Sequence, residues 1–223
     1  AFGHTLDWAV RSVLLVGVPA SLALVLLAEP ILISLFHYGA LTERDIFMAS
    51  LSLRAYSIGL CAFMLVKVLA PGYYARKDMK TPVKIGITAM VANMIMNLIF
   101  VAALVLTIGA GHVGLALATS LGACLNAGLL WRGLYRDGTY CFDGVWRVYL
   151  TRLALACGAM AVVLVLLNPA TATWFALDAP GRVLRIGALC IAGLLAFVAA
   201  LLATGMRPAD LRAPRSGEST ESA

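Results

Sequence analysis

Six long apolar runs, separated by short stretches that hold most of the charge, constrain this chain more than anything else in it. They cover about residues 12–28, 46–70, 85–107, 113–131, 153–167 and 183–204. A bilayer's hydrocarbon core of about 30 Å takes roughly 20 apolar residues of helix, and only helices or closed barrels leave no backbone polar group unsatisfied there. The fold expected is therefore all-α, a polytopic membrane bundle of six transmembrane helices. Composition agrees: 62% of residues are hydrophobic and 13% charged, against about 25% charged in a soluble domain.

Local signals set the helix ends. Glu29-Pro30 is expected to close the first span, leaving "ILISLFHYG" (31–39) as an interfacial turn or short helix. Thr42 and Asp45 have the spacing of an N-cap and its N3 acid. Pro71-Gly72 reads as the end of the second span, and Thr81-Pro82 as a cap followed by proline at the first helical position. The stretch from Arg207 to Ala223 mixes both charges with Pro, Ser and Gly and is expected to be a disordered tail. The chain does not begin with methionine and carries no secretory leader pattern, so it is expected to be the C-terminal part of something longer.

The net charge of +6 does not point to nucleic acid, because the basic residues lie in alternate loops rather than on one folded face. Residues 71–84 carry Arg76, Lys77, Lys80 and Lys84, and residues 132–152 carry Arg132, Arg136, Arg147 and Arg152. The intervening loops, 29–45 and 108–112, are acidic or uncharged. The positive-inside rule then places both ends of the segment in the cytoplasm. Arg182 and Arg185 are the exception, since they fall on the outer side of the last span. Tyr73 and Tyr74 suit the headgroup region, and the basic loop would attract anionic lipid.

Ionisable groups within spans are candidate functional residues, because insertion scales set their cost at about 2.5–3.5 kcal/mol. Lys67 is close enough to a span end to snorkel. Arg54 lies eight residues beyond Ile46, about 12 Å deep. Ser50, Arg54, Ser57 and Cys61 share one helix face, which reads either as the wall of a cavity for an anionic substrate or as an Arg paired to an acid elsewhere or snorkelling outward. Asn93 and Asn97 share a face of the third span, and Thr119, Ser120 and Asn126 come from the fourth. Their oxygens suit either a sodium ion or hydrogen bonds between helices. Gly114, Ala118 and Gly122 repeat at four-residue spacing, a close-packing pattern.

No catalytic constellation is apparent. His4, His37 and His112 are scattered, and Cys61, Cys124, Cys141, Cys157 and Cys190 show no metal or disulfide spacing. No cofactor, other than a possible Na⁺, and no enzymatic activity is expected. The last two spans are almost wholly apolar and face lipid or bind lipid tails.

Several motifs resemble one family. "LFHYGALTERD" (35–45), "RAYSIGL" (54–60) and "KVLAPGYYARKDMKTPVKIGI" (67–87) are similar to the C-terminal half of the MurJ (MviN) lipid II flippases. These belong to the multidrug/oligosaccharidyl-lipid/polysaccharide exporter superfamily. "NMIMNL" (93–98) and "GLALATSLGACLN" (114–126) fit as well. The resemblance implies spans nine to fourteen of a fourteen-span transporter of the bacterial inner membrane that moves lipid II by alternating access. Residues 1–134 would form part of the C-lobe, 135–205 two helices making a groove for the undecaprenyl tail, and 206–223 a cytoplasmic tail.

By the same resemblance the partners would be lipid II, membrane lipids and a missing N-terminal lobe. The residues' own places in the spans, not the resemblance, make Arg54, Ser50, Ser57 and Lys67 the substrate-cavity candidates and put Arg76, Lys77 and Lys80 in a cytoplasmic loop. Asn93, Asn97 and Thr119 match the places of a family sodium site. The alternatives are an exporter of another polyprenyl-linked saccharide, or a non-transporting scaffold for cell-wall synthesis.

Overall fold

A computed structural model of the chain describes residues 2–36, 42–136 and 144–206. Within them the chain forms α1 (Phe2–Phe36), α2 (Glu43–Tyr74), α3 (Lys80–Ile108), α4 (Gly111–Arg136), α5 (Gly144–Leu167), the short α6 (Thr171–Ala176) and α7 (Ala179–Ala203). Six of these are long and apolar enough to cross a membrane, so the chain is a multi-pass membrane protein. His37, Cys141 and residues 207–223 lie outside the described residues.

The first span is longer at both ends than expected. It begins at Phe2 and passes straight through Pro19 and Pro30 to Phe36, so "ILISLF" continues α1 instead of forming a separate turn. Proline is tolerated inside membrane helices because neighbouring groups satisfy the backbone it frees. Beside Pro30 the Ser34 hydroxyl donates to the Pro30 carbonyl at 2.7 Å. As a result Glu29 belongs to a helix within the span and not to a loop. The short helix on that side of the molecule is α6, after Asn168-Pro169.

The elbow between α2 and α3 also differs. α2 runs through Pro71-Gly72 to Tyr74, because Tyr73 and Gly72 are packing residues. Tyr73 is 1% exposed and its hydroxyl donates to the Leu130 carbonyl of α4 at 2.7 Å, so it is a helix anchor and not a headgroup residue. Tyr74 is exposed. Two hydrogen bonds, Lys77 N to Tyr74 O and Asp78 N to Tyr73 O, then close α2 as a Schellman cap. Lys77 takes the left-handed position there, with φ 61°, where glycine is usual.

The cap of α3 is Asp78 rather than Thr81. Its Oδ1 accepts from the Lys80 and Thr81 amides, both at 3.1 Å, and Pro82 falls within the first turn. A carboxylate satisfies two orphan amides at once and favours the positive end of the helix dipole. The Thr42–Asp45 capping box forms as expected, with Asp45 N bonded to Thr42 Oγ1 and Thr42 N to Asp45 Oδ2.

Packing follows the small residues. α2 lies between α1 and α4, α3 leans on α4, and α5 pairs with α7 while both touch α1. A Cβ on Gly59 would stand 2.7 Å from the Ser120 Cα, and one on Gly114 would stand 2.7 Å from the Phe100 backbone. The Ser120 hydroxyl donates to the Ala55 carbonyl at 2.6 Å, joining α4 to α2. At the end of the bundle that holds the basic loops, Trp146 Nε1 donates to Asp7 at 2.8 Å and the Tyr149 hydroxyl to the Arg11 carbonyl at 2.6 Å. Arg11, paired to Asp7 at 2.8 Å, lies over the Trp146 ring at 5.0 Å. This knot fixes the start of α5 against the start of α1.

Candidate functional site

The polar stripe of α2 is largely satisfied internally. Ser50 and Ser57 are buried, and their hydroxyls donate back to the Phe47 and Leu53 carbonyls of their own helix, each at 2.7 Å. Cys61 is half-buried and its Sγ abuts Gly17 of α1. Arg54 reaches Glu29 of α1 at 3.5 Å, with the two side chains 35% and 22% exposed. This is the pairing alternative left open by the sequence. Its acid could not be recognised while Pro30 was read as a helix end, because Glu29 then stood in a loop.

Lys67 is exposed near the basic end of α2, as are Arg76, Lys77 and Lys80 on the elbow. Among the described residues, Asp78 is the acid within that elbow. Hydrogen bonds from the Thr81 hydroxyl and amide hold its carboxyl below the usual aspartate range. On α3, Asn97 Nδ2 donates to Asn93 Oδ1 at 2.9 Å. A Cβ on Gly122 of α4 would stand 3.0 Å from Asn93 Cβ, so that amide fills the α3–α4 interface. Thr119 donates to the Leu115 carbonyl at 2.8 Å. The Asn97 and Asn126 side-chain oxygens are buried with no hydrogen-bond partner among the described residues.

A separate feature is an apolar groove of about 490 Å³ with three helical walls. On α1 the stripe Leu15, Pro19, Ala23 and Leu27 follows four-residue spacing. Met160 and Leu164 come from α5, and Gly193, Phe197 and Leu201 are among those from α7. The groove is open along one side, where Val16, Leu194, Val198 and Leu202 are exposed. Among the described residues its lining contains no charged one. Two last helices were expected to form such a groove. The third wall, α1, is distant in sequence, and nothing in its own pattern distinguishes a groove-lining stripe from a core stripe.

The groove ends just past α7 at Met206, beside Gly205, whose carbonyl accepts a 3.4 Å hydrogen bond from Arg152 of α5. Arg152 lies two turns before Met160 on that helix, on the same stripe as Ala156, Met160 and Leu164. At the opposite end, Arg182 is buried. It donates to the Trp174 and Phe175 carbonyls, both at 3.1 Å, and so closes the C-terminal end of α6.

Comparison with known proteins identifies the chain's relatives. The family model for lipid II flippase MurJ matches residues 1–184. A probable lipid II flippase MurJ of Vibrio cholerae is 45% identical over 212 residues, 95% of this chain and 39% of the relative. That of Haemophilus influenzae is 42% identical over 206 residues, 92% of this chain and 39% of the relative. The lipid II flippase MurJ of Burkholderia cenocepacia is 38% identical over 160 residues, 72% of this chain and 30% of the relative. The chain thus spans about 39% of the length of the first two relatives. With six membrane-crossing helices and a family match over most of its length, it belongs to the lipid II flippase MurJ family.

Proposed function

We propose that this chain forms the C-terminal spans of a lipid II flippase, which carries the undecaprenyl-pyrophosphate-linked precursor across the bacterial inner membrane by alternating access. The observation that carries this reading is the uncharged groove between α1, α5 and α7 in a chain of this family. A membrane-facing apolar groove suits a polyprenyl tail, while the headgroup needs a polar route through the rest of the protein. In this reading residues 1–134 belong to a lobe whose remaining helices cover α3, and residues 135–205 supply two of the three groove walls.

The protein is a transporter and not a catalyst, with both ends of the segment cytoplasmic. Its partners are lipid II, membrane lipids and the remainder of the polypeptide. Arg54 meets the pyrophosphate only after leaving Glu29, and Ser50 and Ser57 support the helix that carries it. Lys67, Arg76, Lys77 and Lys80 form the basic cytoplasmic approach. A sodium ion is a secondary reading, favoured by the buried, unpartnered Asn97 oxygen. Asn93 and Thr119 fit less well, since both already take part in hydrogen bonds within their own helices. Transport as proposed does not depend on that ion.

The test is lipid II translocation by the intact protein in reconstituted vesicles. Filling the groove with Cys190→Trp and Val198→Trp, both at exposed lining positions, should abolish flux while the protein still inserts. Full flux with the groove filled would overturn the tail-groove reading. Flux of a different polyprenyl-linked saccharide in place of lipid II would replace the cargo.

A further inference from the structure

Two arginines on the long helices are committed to structure. Arg11 holds Asp7 at 2.8 Å and lies over the Trp146 and Tyr149 rings. Arg182 is buried and donates to two α6 carbonyls, both at 3.1 Å. Arg54 differs. Its guanidinium has five N–H donors, and it gives Glu29 one hydrogen bond from Nη2 at 3.5 Å, long for a charge-assisted contact. Ser50 and Ser57, one turn to either side, turn their hydroxyls onto carbonyls of α2 itself.

Both partners stand on membrane-crossing helices, and their side chains are 35% and 22% exposed. Ionised groups within a span face a wet cavity or polar protein and not hydrocarbon. The exposed flank of this pair is therefore a polar surface of the complete protein. Glu29 balances the guanidinium from the α1 side, and the flank leaves it open to a second anion. One long contact between partly exposed ions is weak. A pyrophosphate brings several charged oxygens and a bidentate fit to the same guanidinium.

We propose that Glu29 is a displaceable counter-ion for Arg54, a positioning residue that sets how tightly the transporter holds a pyrophosphate and how fast it lets go. This rests on the reading of Arg54 as a cargo contact and adds the regulation of that contact. In the empty site Glu29 keeps the guanidinium against α1 and offsets its charge, so a monoanion gains little by binding there. A pyrophosphate displaces the carboxylate. When the cargo leaves, the pair between α1 and α2 re-forms, and this return of Glu29 speeds release.

The test is lipid II flux by the intact protein in reconstituted vesicles, followed against the lipid II mole fraction and normalised to folded protein. Glu29→Gln should lower the apparent KM about five-fold, the size of a partly exposed ion pair, and lower kcat as well, because release becomes slower. Arg54→Gln should raise KM, and adding Glu29→Gln to it should change KM no further. A purely structural role for the pair would reduce the amount of folded protein in each variant and leave KM where it was.

An unchanged or raised KM in Glu29→Gln would overturn the proposal, as would a Glu29→Gln effect that persists without Arg54. Calorimetric titration of the same purified proteins with inorganic pyrophosphate separates this from the cargo reading. Tighter pyrophosphate binding in Glu29→Gln and none in Arg54→Gln, with no lipid II flux by the unmodified protein, removes lipid II as cargo and leaves the counter-ion role standing. Normal lipid II flux, with KM and pyrophosphate binding the same in every variant, leaves the cargo reading and removes this one. The exposed flank of Arg54 would then be covered by the remainder of the polypeptide.

Discussion

At the scale of single residues, the structure turns on charges whose partners lie far away in sequence. Glu29 and Arg54 form a pair at 3.5 Å between α1 and α2. Each alone would be a charge left within the span, where insertion costs are about 2.5–3.5 kcal/mol. Removing one partner of such a pair is worse than removing both. Glu29→Gln should therefore destabilise the protein by about 2 kcal/mol, and Glu29→Gln combined with Arg54→Gln should recover most of that loss. Reversible unfolding in mixed micelles measures both variants. If the double variant were as unstable as the sum of the singles, the pair would not be holding the helices together. The sequence showed Arg54 as an anomaly but not its solution, because the partner's place depended on whether Pro30 ends α1.

At the scale of elements, apolar length alone was enough to find all six spans, since hydrocarbon thickness leaves little choice. Their ends were less legible. Thr42 and Asp45 cap α2 as their spacing requires, because both ends of that box are local. At the elbow, the competing caps Asp78 and Thr81 are both local too, and the carboxylate wins by reaching two amides. Pro71 failed to end α2 because Tyr73 is held by Leu130 on α4, a tertiary contact. The Asp78 cap has a pH signature. Its carboxyl is held below the ordinary aspartate value of about 3.9. A depressed folded pKa contributes stability that is fully present above the unfolded value and is lost as pH falls through the folded one. Hydrogen exchange at the Lys80 and Thr81 amides should thus stay protected from neutral pH down to about 4 and rise below it. Asp78→Asn should flatten that profile. An unchanged profile in Asp78→Asn would show that the cap does not depend on the carboxylate charge.

At the scale of the whole molecule, the candidate site was legible in part: the last two spans were expected to be apolar and to border a groove, and α5 and α7 line an apolar one. Its third wall was not, because α1 and α7 meet only once the chain has folded back on itself. Orientation depends on the same long-range information. Among the basic residues, Arg182 seemed to weaken the positive-inside count, yet it is buried against the α6 carbonyls. A guanidinium so engaged is a helix cap more than a free topological signal. With it set aside, the elbow after α2 and the link after α4 carry the basic charge on one side, which makes that side the proposed cytoplasmic one by the positive-inside rule. Single cysteines in a background without the native ones decide this. Met79, 66% exposed on the elbow, and Thr173, exposed on α6, stand at opposite ends of the bundle. In intact spheroplasts a membrane-impermeant maleimide should label Thr173→Cys at once and Met79→Cys only after permeabilisation. The reverse order would place the Met206 end of the groove outside the cell. In the proposed reading a cargo tail would then have to enter from the side where the cargo leaves.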